Sequence, residues 1–200
     1  ANFLLREWVG DGYFSPGFGD LEQALVTLAL QLSRETSATV PDLRTIESAD
    51  AILVIGEDVT NTAPRLALAL RQSVRNKAYS LAAELRLESW QDAAIRNLAQ
   101  DQRSPLFIAS AAATRLDDVA EQRFTLAPAD IARLGLDIAR QIDATDAGVA
   151  DSNINASAMQ IAQTLASAQR PLIVSGTGIG NRDVLVAAAQ IAEALGRSGS

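Results

Sequence analysis

Three short apolar runs punctuate the chain: Ala51-Ile52-Leu53-Val54-Ile55, Pro105-Leu106-Phe107-Ile108-Ala109 and Pro171-Leu172-Ile173-Val174-Ser175. Each is continuous rather than alternating, the pattern of a strand covered on both faces. Between them apolar residues recur at helical spacing. Leu21, Leu25, Leu28 and Leu32 predict one helix, and Leu66, Ala67, Leu70 and Val74 a second. Ile131, Leu134, Ile138 and Ile142 predict a third over about 129–142. Ala158, Ile161, Ala162 and Leu165 predict a fourth over about 155–168, and Val184–Leu195 a fifth. Residues 1–9 read as the end of a helix, 79–87 as helical after a kink at Asn76, and Trp90–Ala99 as helical. Tyr13-Phe14 is expected as a very short strand and Phe124-Thr125-Leu126 as a short edge strand closed by Pro128.

Turn and cap residues divide these segments. Gly10–Gly19 reads as a connector. Asp20 is expected to cap the next helix, with Gln23 completing a capping-box-like pattern. Pro41 discourages helix, and Leu43–Ile46 leads into the first strand. Gly56 turns the chain at that strand's carboxyl end. Thr62 is expected to cap the following helix, with Pro64 in its first turn. Ser89 is expected to cap the helix at Trp90, and Asn181 or Asp183 the last one. Residues 143–153 read as a polar surface loop and a possible internal boundary in what is otherwise one domain over 1–200. Strands that alternate with helices predict an α/β fold, a mostly parallel sheet with helices on both faces. Right-handed crossovers then place all three strand-to-helix turns on the carboxyl edge, where open α/β sheets bind ligands.

Composition narrows what those turns can do. The 200 residues contain no Cys and no His, which removes disulfides, thiolate clusters, the usual zinc sites, Cys nucleophiles and His bases from this stretch. The net charge is −7, and Lys77 is the only lysine. Nucleic acid and anionic membrane surfaces are poor partners for such a chain. No apolar run approaches the ~20 residues of a membrane span. The start of the sequence lacks the marks of a secretory signal, and it lacks Met, as expected of a piece of a longer protein.

Three turns are candidate sites. Gly176-x-Gly178-x-Gly180 follows a strand but is one residue short of the dinucleotide fingerprint. Gly56-Glu57-Asp58 has two carboxylates that would repel a pyrophosphate, although either could accept from a ribose or a guanine N–H. The plainer reading has Asp58 and Asn61 capping the turn. Thr114-Arg115-Leu116-Asp117-Asp118 offers Arg115 to a phosphate, or else is a capped helix start with an exposed charge. A Ser–Lys dyad would need Lys77, which the pattern places at the far end of a helix with no motif around it. No catalytic residue and no metal ligand is assigned.

The order of these features resembles a family. Ser48-Ala49-Asp50, the run to Ile55, Gly56-Glu57-Asp58 and then Pro64-Arg65 resemble the first strand, turn and helix of the molybdopterin oxidoreductase superfamily (the formate dehydrogenase and DMSO reductase type). Leu106–Ala109 through Thr114-Arg115-Leu116, and Ser167–Gly178, resemble its later segments. Gly56–Thr60, Thr114–Asp118 and the 78–98 region with Trp90 are more narrowly similar to the G subunits of bacterial respiratory complex I. That resemblance implies a vestigial dinucleotide pocket at Gly56, Asp58, Arg115, Gly176 and Gly178. It departs from the enzymes where they have Asn-Pro and this chain has Asp58-Val59, and where their Asp-Pro-Arg is replaced by Ser110-Ala111-Ala112-Ala113. Ionised Asp accepts hydrogen bonds but cannot donate them as Asn does. The resemblance therefore implies that molybdopterin is absent, that iron–sulfur clusters sit elsewhere in the parent subunit, and that this stretch is architectural. It implies partners among other segments of the subunit and of the peripheral arm, on the cytoplasmic side of the inner membrane. An active molybdopterin-dinucleotide oxidoreductase and a nucleotide-binding regulatory module are the alternatives.

Overall fold

The three apolar runs each become a strand, and the short edge segment becomes a fourth. The computed structural model describes residues 2–15, 17–147 and 156–198. The strands are β1 (Ala51–Ile55), β2 (Leu106–Ser110), β3 (Gln122–Thr125) and β4 (Pro171–Ser175). All pairings are parallel, and the spatial order is β3-β2-β1-β4. The chain thus steps outward from β1 through β2 to β3, then returns to add β4 on β1's other side. β1 is consequently central, and every one of its residues is buried.

Helices cover both faces, as the continuous apolar runs require. Ala51, Leu53 and Ile55 point to one side, where they meet α8 (Pro128–Ala147), α9 (Ala156–Ser167) and α10 (Arg182–Ser198) through Ile131, Ile138, Ile161, Leu165 and Ile191. Ile52 and Val54 point to the other. There they pack with Ile46 of α3 (Leu43–Ile46), Val59 of α4 (Val59–Thr62), and Ala67 and Leu70 of α5 (Pro64–Ser73). Burying each such Leu or Ile is worth about 1.5–3 kcal/mol relative to exposure. Gly135 in α8 lets the layers close. A Cβ there would lie 2.8 Å from Ile55 Cδ1 and 2.9 Å from Ala187 Cβ of α10.

Polar groups fix the register at both ends of β1. The Asp50 carboxylate accepts from the backbone N–H of Gln169 (2.9 Å) and Arg170 (2.8 Å), so the start of β4 is tied beside the start of β1. At the other end Ser175 Oγ donates to the Ile55 carbonyl at 2.9 Å. Asn76 donates to the carbonyls of Glu47 and Ala49, holding the segment before β1 against α6 (Asn76–Glu84). α6 packs in turn on α7 (Asp92–Ala99).

Several boundaries differ from the sequence reading, each for a local reason. Residues 11–13 form a single 3-10 turn where Tyr13-Phe14 was expected as a strand. Helix α2 (Asp20–Glu35) has Gly19 at its N-cap with no side-chain cap, so Asp20 is its first residue and the capping box does not form. Leu43–Ile46 is not a lead-in but helix α3, capped by Asp42, whose carboxylate accepts from Thr45 N–H at 2.7 Å. The helix expected from Thr62 is split. Asp58 caps the short α4, Ala63 interrupts, and Pro64 begins α5, so Thr62 ends a helix instead of capping one. Gln91, not Ser89, precedes α7. Lys77 stands in the first turn of α6. Helix α8 continues to Ala147, so 143–147 are helical where a loop was expected, and 148–153 lie outside the described residues. Among the leucines of α2, Leu25 is buried but Leu21 is exposed.

The first helices leave much apolar surface uncovered. α1 (Asn2–Val9) has no buried residue, and Trp8 and Phe3 are 84% and 70% exposed.

Two outcomes are expected. Gly135→Leu forces α8 away from β1 and α10 and lowers stability by about 1–3 kcal/mol, read as a lower urea midpoint. The second concerns Arg71, which holds Asp118 in a two-pronged pair at 2.9 and 2.7 Å and also donates to the Arg115 carbonyl. The hydrogen bond from Arg71 holds the Asp118 carboxyl below the usual carboxylate range. A carboxyl depressed in the folded state stabilises above its unfolded value and loses that contribution as pH falls through its folded value. Asp118→Asn is therefore expected to cost less than about 1 kcal/mol near neutral pH, because the pair is exposed and screened. The gap from the parent chain should close as pH falls below about 4.

Candidate functional site

Because all four strands are parallel, the turns after β1, β2 and β4 meet on one edge of the sheet. They enclose a small cleft of about 240 Å³, lined by residues 56–58 and Thr62, by 110–113, and by Gly178 and Ile179. It lies where the strand order reverses, with β1 flanked on one side by β2 and on the other by β4. Open α/β sheets bind ligands at such a crevice. Gly56 makes the turn with φ +72°, and a Cβ there would fall 2.4 Å from Val184 Cγ1 of α10. Asn181 caps α10 as expected, its carbonyl oxygen accepting from Asp183 and Val184 N–H.

Glu57 lines this cleft and bridges its sides. It is only 9% exposed. One carboxylate oxygen, Oε2, accepts from Gly178 N–H at 2.9 Å. The other, Oε1, accepts from its neighbour Asp58 N–H at 3.0 Å and from the Thr62 hydroxyl at 3.1 Å, a proton it shares with the Asp58 carbonyl at the same distance. The side chain therefore bridges the β1 turn, the end of α4 and the glycine turn after β4. Its significance was not legible along the chain, where it stood beside Asp58 as one of two turn carboxylates. The one available signal was its position directly after the strand-ending glycine Gly56.

The other sequence candidates fare differently. The Asp58 carboxylate turns back on its own helix start, accepting from Thr60 N–H at 3.1 Å, from the Thr60 hydroxyl and from Asn61 Nδ2 at 2.6 Å. This is the capping arrangement. Gly56 and Gly178 line the cleft, and Gly176 lies against the Glu57 side chain. Arg115 does not line it; the residue is exposed, two positions beyond Ala113. On the β2 side the Ser110 hydroxyl donates to the Ala112 carbonyl at 2.6 Å, and Ala111, Ala112 and Ala113 offer only backbone. The cleft thus has two carboxylates and no Lys or Arg in its lining.

Lys77 and Ser104 come together elsewhere, in a different role from a dyad. The Ser104 hydroxyl accepts from the Lys77 backbone N–H at 3.1 Å and so satisfies an N-terminal amide of α6. Among the described residues no group of three or more acidic side chains is arranged to hold a metal ion.

No protein-family model matches the chain. Individual proteins do. Over 199 residues it is 47% identical to the G subunit of the NADH-quinone oxidoreductase of Pseudomonas fluorescens, an alignment that covers 98% of this chain and 22% of that protein. The corresponding G subunits of Salmonella typhimurium and of Escherichia coli K12 are 46% and 44% identical over 197 residues, with the same coverage. The chain spans about a fifth of the length of the curated relatives it matches, 22% in each case. Identity at this level across both layers of helices and all four strands leaves one assignment: over this stretch, the chain belongs to the family of NADH-quinone oxidoreductase G subunits.

Proposed function

We propose that this stretch is a structural, cofactor-free part of the G subunit in the peripheral arm of NADH-quinone oxidoreductase. The parent complex would pass electrons from NADH through iron–sulfur clusters to quinone, coupled to proton translocation. The observation that carries the reading is the chemistry of the carboxyl-edge cleft. A pterin dinucleotide brings a pyrophosphate to this edge. The lining meets it with Glu57 and Asp58 and with no cation. Two negative groups in a narrow crevice repel a third far more strongly than they would in water. The residues present therefore do not fit that cofactor. They do not fit an iron–sulfur cluster either, because the stretch has no Cys or His to ligate one. Clusters would belong to other segments of the subunit.

The remaining features support an architectural role. No helix among the described residues is long and apolar enough to cross a membrane. The apolar residues exposed on α1 and α2, among them Phe3, Leu4, Trp8 and Leu21, would bury against other segments of the subunit or neighbouring peripheral-arm subunits. A peripheral position on the cytoplasmic side of the inner membrane follows from that reading.

Metal analysis and the fluorescence of oxidised pterin, measured on the purified full-length chain, test it. The expected result is no molybdenum and no pterin. Molybdenum near one per chain would replace this reading with an active molybdopterin enzyme. Calorimetric titration with NAD, GTP or a guanine dinucleotide is expected to show no saturable binding. Micromolar binding would favour a nucleotide-binding module.

A further inference from the structure

The Gly-x-Gly turn after β4 has an occupant within the chain. Gly176 and Gly178 do not have the positive φ that only glycine adopts easily; among the glycines of this turn only Gly180 does, at +68°. What they supply is room. A Cβ on Gly176 would lie 2.1 Å from Glu57 Oε2 and 2.9 Å from its Cδ. A Cβ on Gly178 would lie 2.5 Å from Oε1. The carboxylate lies flush against the backbone at both positions, as a phosphate lies against the glycines of a nucleotide-binding turn. Its donors are of the kind a bound oxyanion uses: backbone N–H groups from two separate turns and one hydroxyl.

We propose that Glu57 is a built-in anion, whose carboxylate takes the place in the β1–β4 crevice that a phosphate or carboxylate ligand would otherwise take. This deepens the cofactor-free reading and rests on it. The oxyanion position of the crevice is filled covalently, by a side chain that cannot dissociate. An incoming phosphate would have to displace Glu57 from all three donors and leave its charge unpaired beside Asp58. The two glycines are explained by the same contact, as spacers for Glu57.

Amide hydrogen exchange in the full-length chain, followed by mass spectrometry on peptides covering 174–184 and 56–63, tests the proposal at the Gly178 N–H itself. In the parent chain, exchange in both peptides should be the same in chloride, acetate, phosphate and pyrophosphate at equal ionic strength. Glu57→Gln keeps the shape but must turn its NH2 toward an N–H donor. Exchange should then rise by about tenfold or more at 176–180, or at 56–63 if the amide oxygen stays on Gly178 N–H, the usual scale for losing a charged acceptor. Glu57→Ala should exchange faster again and be slowed saturably by acetate or phosphate, but not by chloride, because a free anion refills the position.

A Glu57→Gln chain that exchanges like the parent would overturn the proposal and reduce Glu57 to a space-filler. That isosteric variant decides the matter even if Glu57→Ala does not fold. A folded Glu57→Ala chain indifferent to all the anions, with an equally indifferent parent, would overturn this inference and leave the cofactor-free reading intact. Pyrophosphate protection of the parent chain would overturn both.

Discussion

Strand β1 has no free face. Its five residues alternate between two separate cores, with Leu53 and Ile55 under α8 and α10 and Ile52 and Val54 under α5. A strand so placed cannot shift by one residue without exchanging the two sets, and both neighbours are registered against it. β2 and β4 each pair with β1, so the carboxyl ends of three strands are brought to one edge by that single constraint. Asp50 and Ser175 reinforce it at opposite ends, through backbone groups of the two residues just before β4 and of β1 respectively. Asp50 belongs to the Ala-Asp pair that precedes the strand, so part of the family-like signature has a structural explanation independent of any ligand.

That edge has the geometry of a ligand site, and the chain's own groups occupy its polar side chains. The reversal of strand order, the positive-φ turn at Gly56 and the Gly-x-Gly turn after β4 are all present. Yet the polar side chains facing the cleft are engaged with the chain's own groups. Asp58 holds the start of α4, Ser110 holds Ala112, and Glu57 holds three donors across the crevice. A buried carboxylate with several charge-assisted hydrogen bonds is a strong local tie. Here it joins segments more than a hundred residues apart in sequence. The crevice thus contributes to holding the sheet together, a role compatible with a domain whose task within a larger assembly is to keep its shape.

Two kinds of surface emerge from this. The sheet and its covering helices account for nearly all the deeply buried residues. The first thirty residues are different. α2 touches α10, but α1 places Trp8 and its apolar neighbours in solvent. This is the apolar surface that the proposed burial against other segments of the subunit would cover.

The sequence by itself determined the layered architecture. Continuous apolar runs can only be satisfied by burial on both faces, and helical spacing between them supplies the cover. It also showed that Cys and His chemistry is absent, and that Asp58 suits a cap. Helix starts were less legible, because Gly19, Ala63 and Gln91 precede helices without any capping side chain, and propensity alone does not locate such ends. What only the tertiary structure decided is the meaning of Glu57 and of the two glycines. Gly176 and Gly178 read along the chain as a turn or a phosphate cradle. Whether they face solvent, a ligand or a carboxylate depends on which strand lies beside β4. That pairing joins residues some 120 positions apart. It is set by the packing of β1 and not by any local preference.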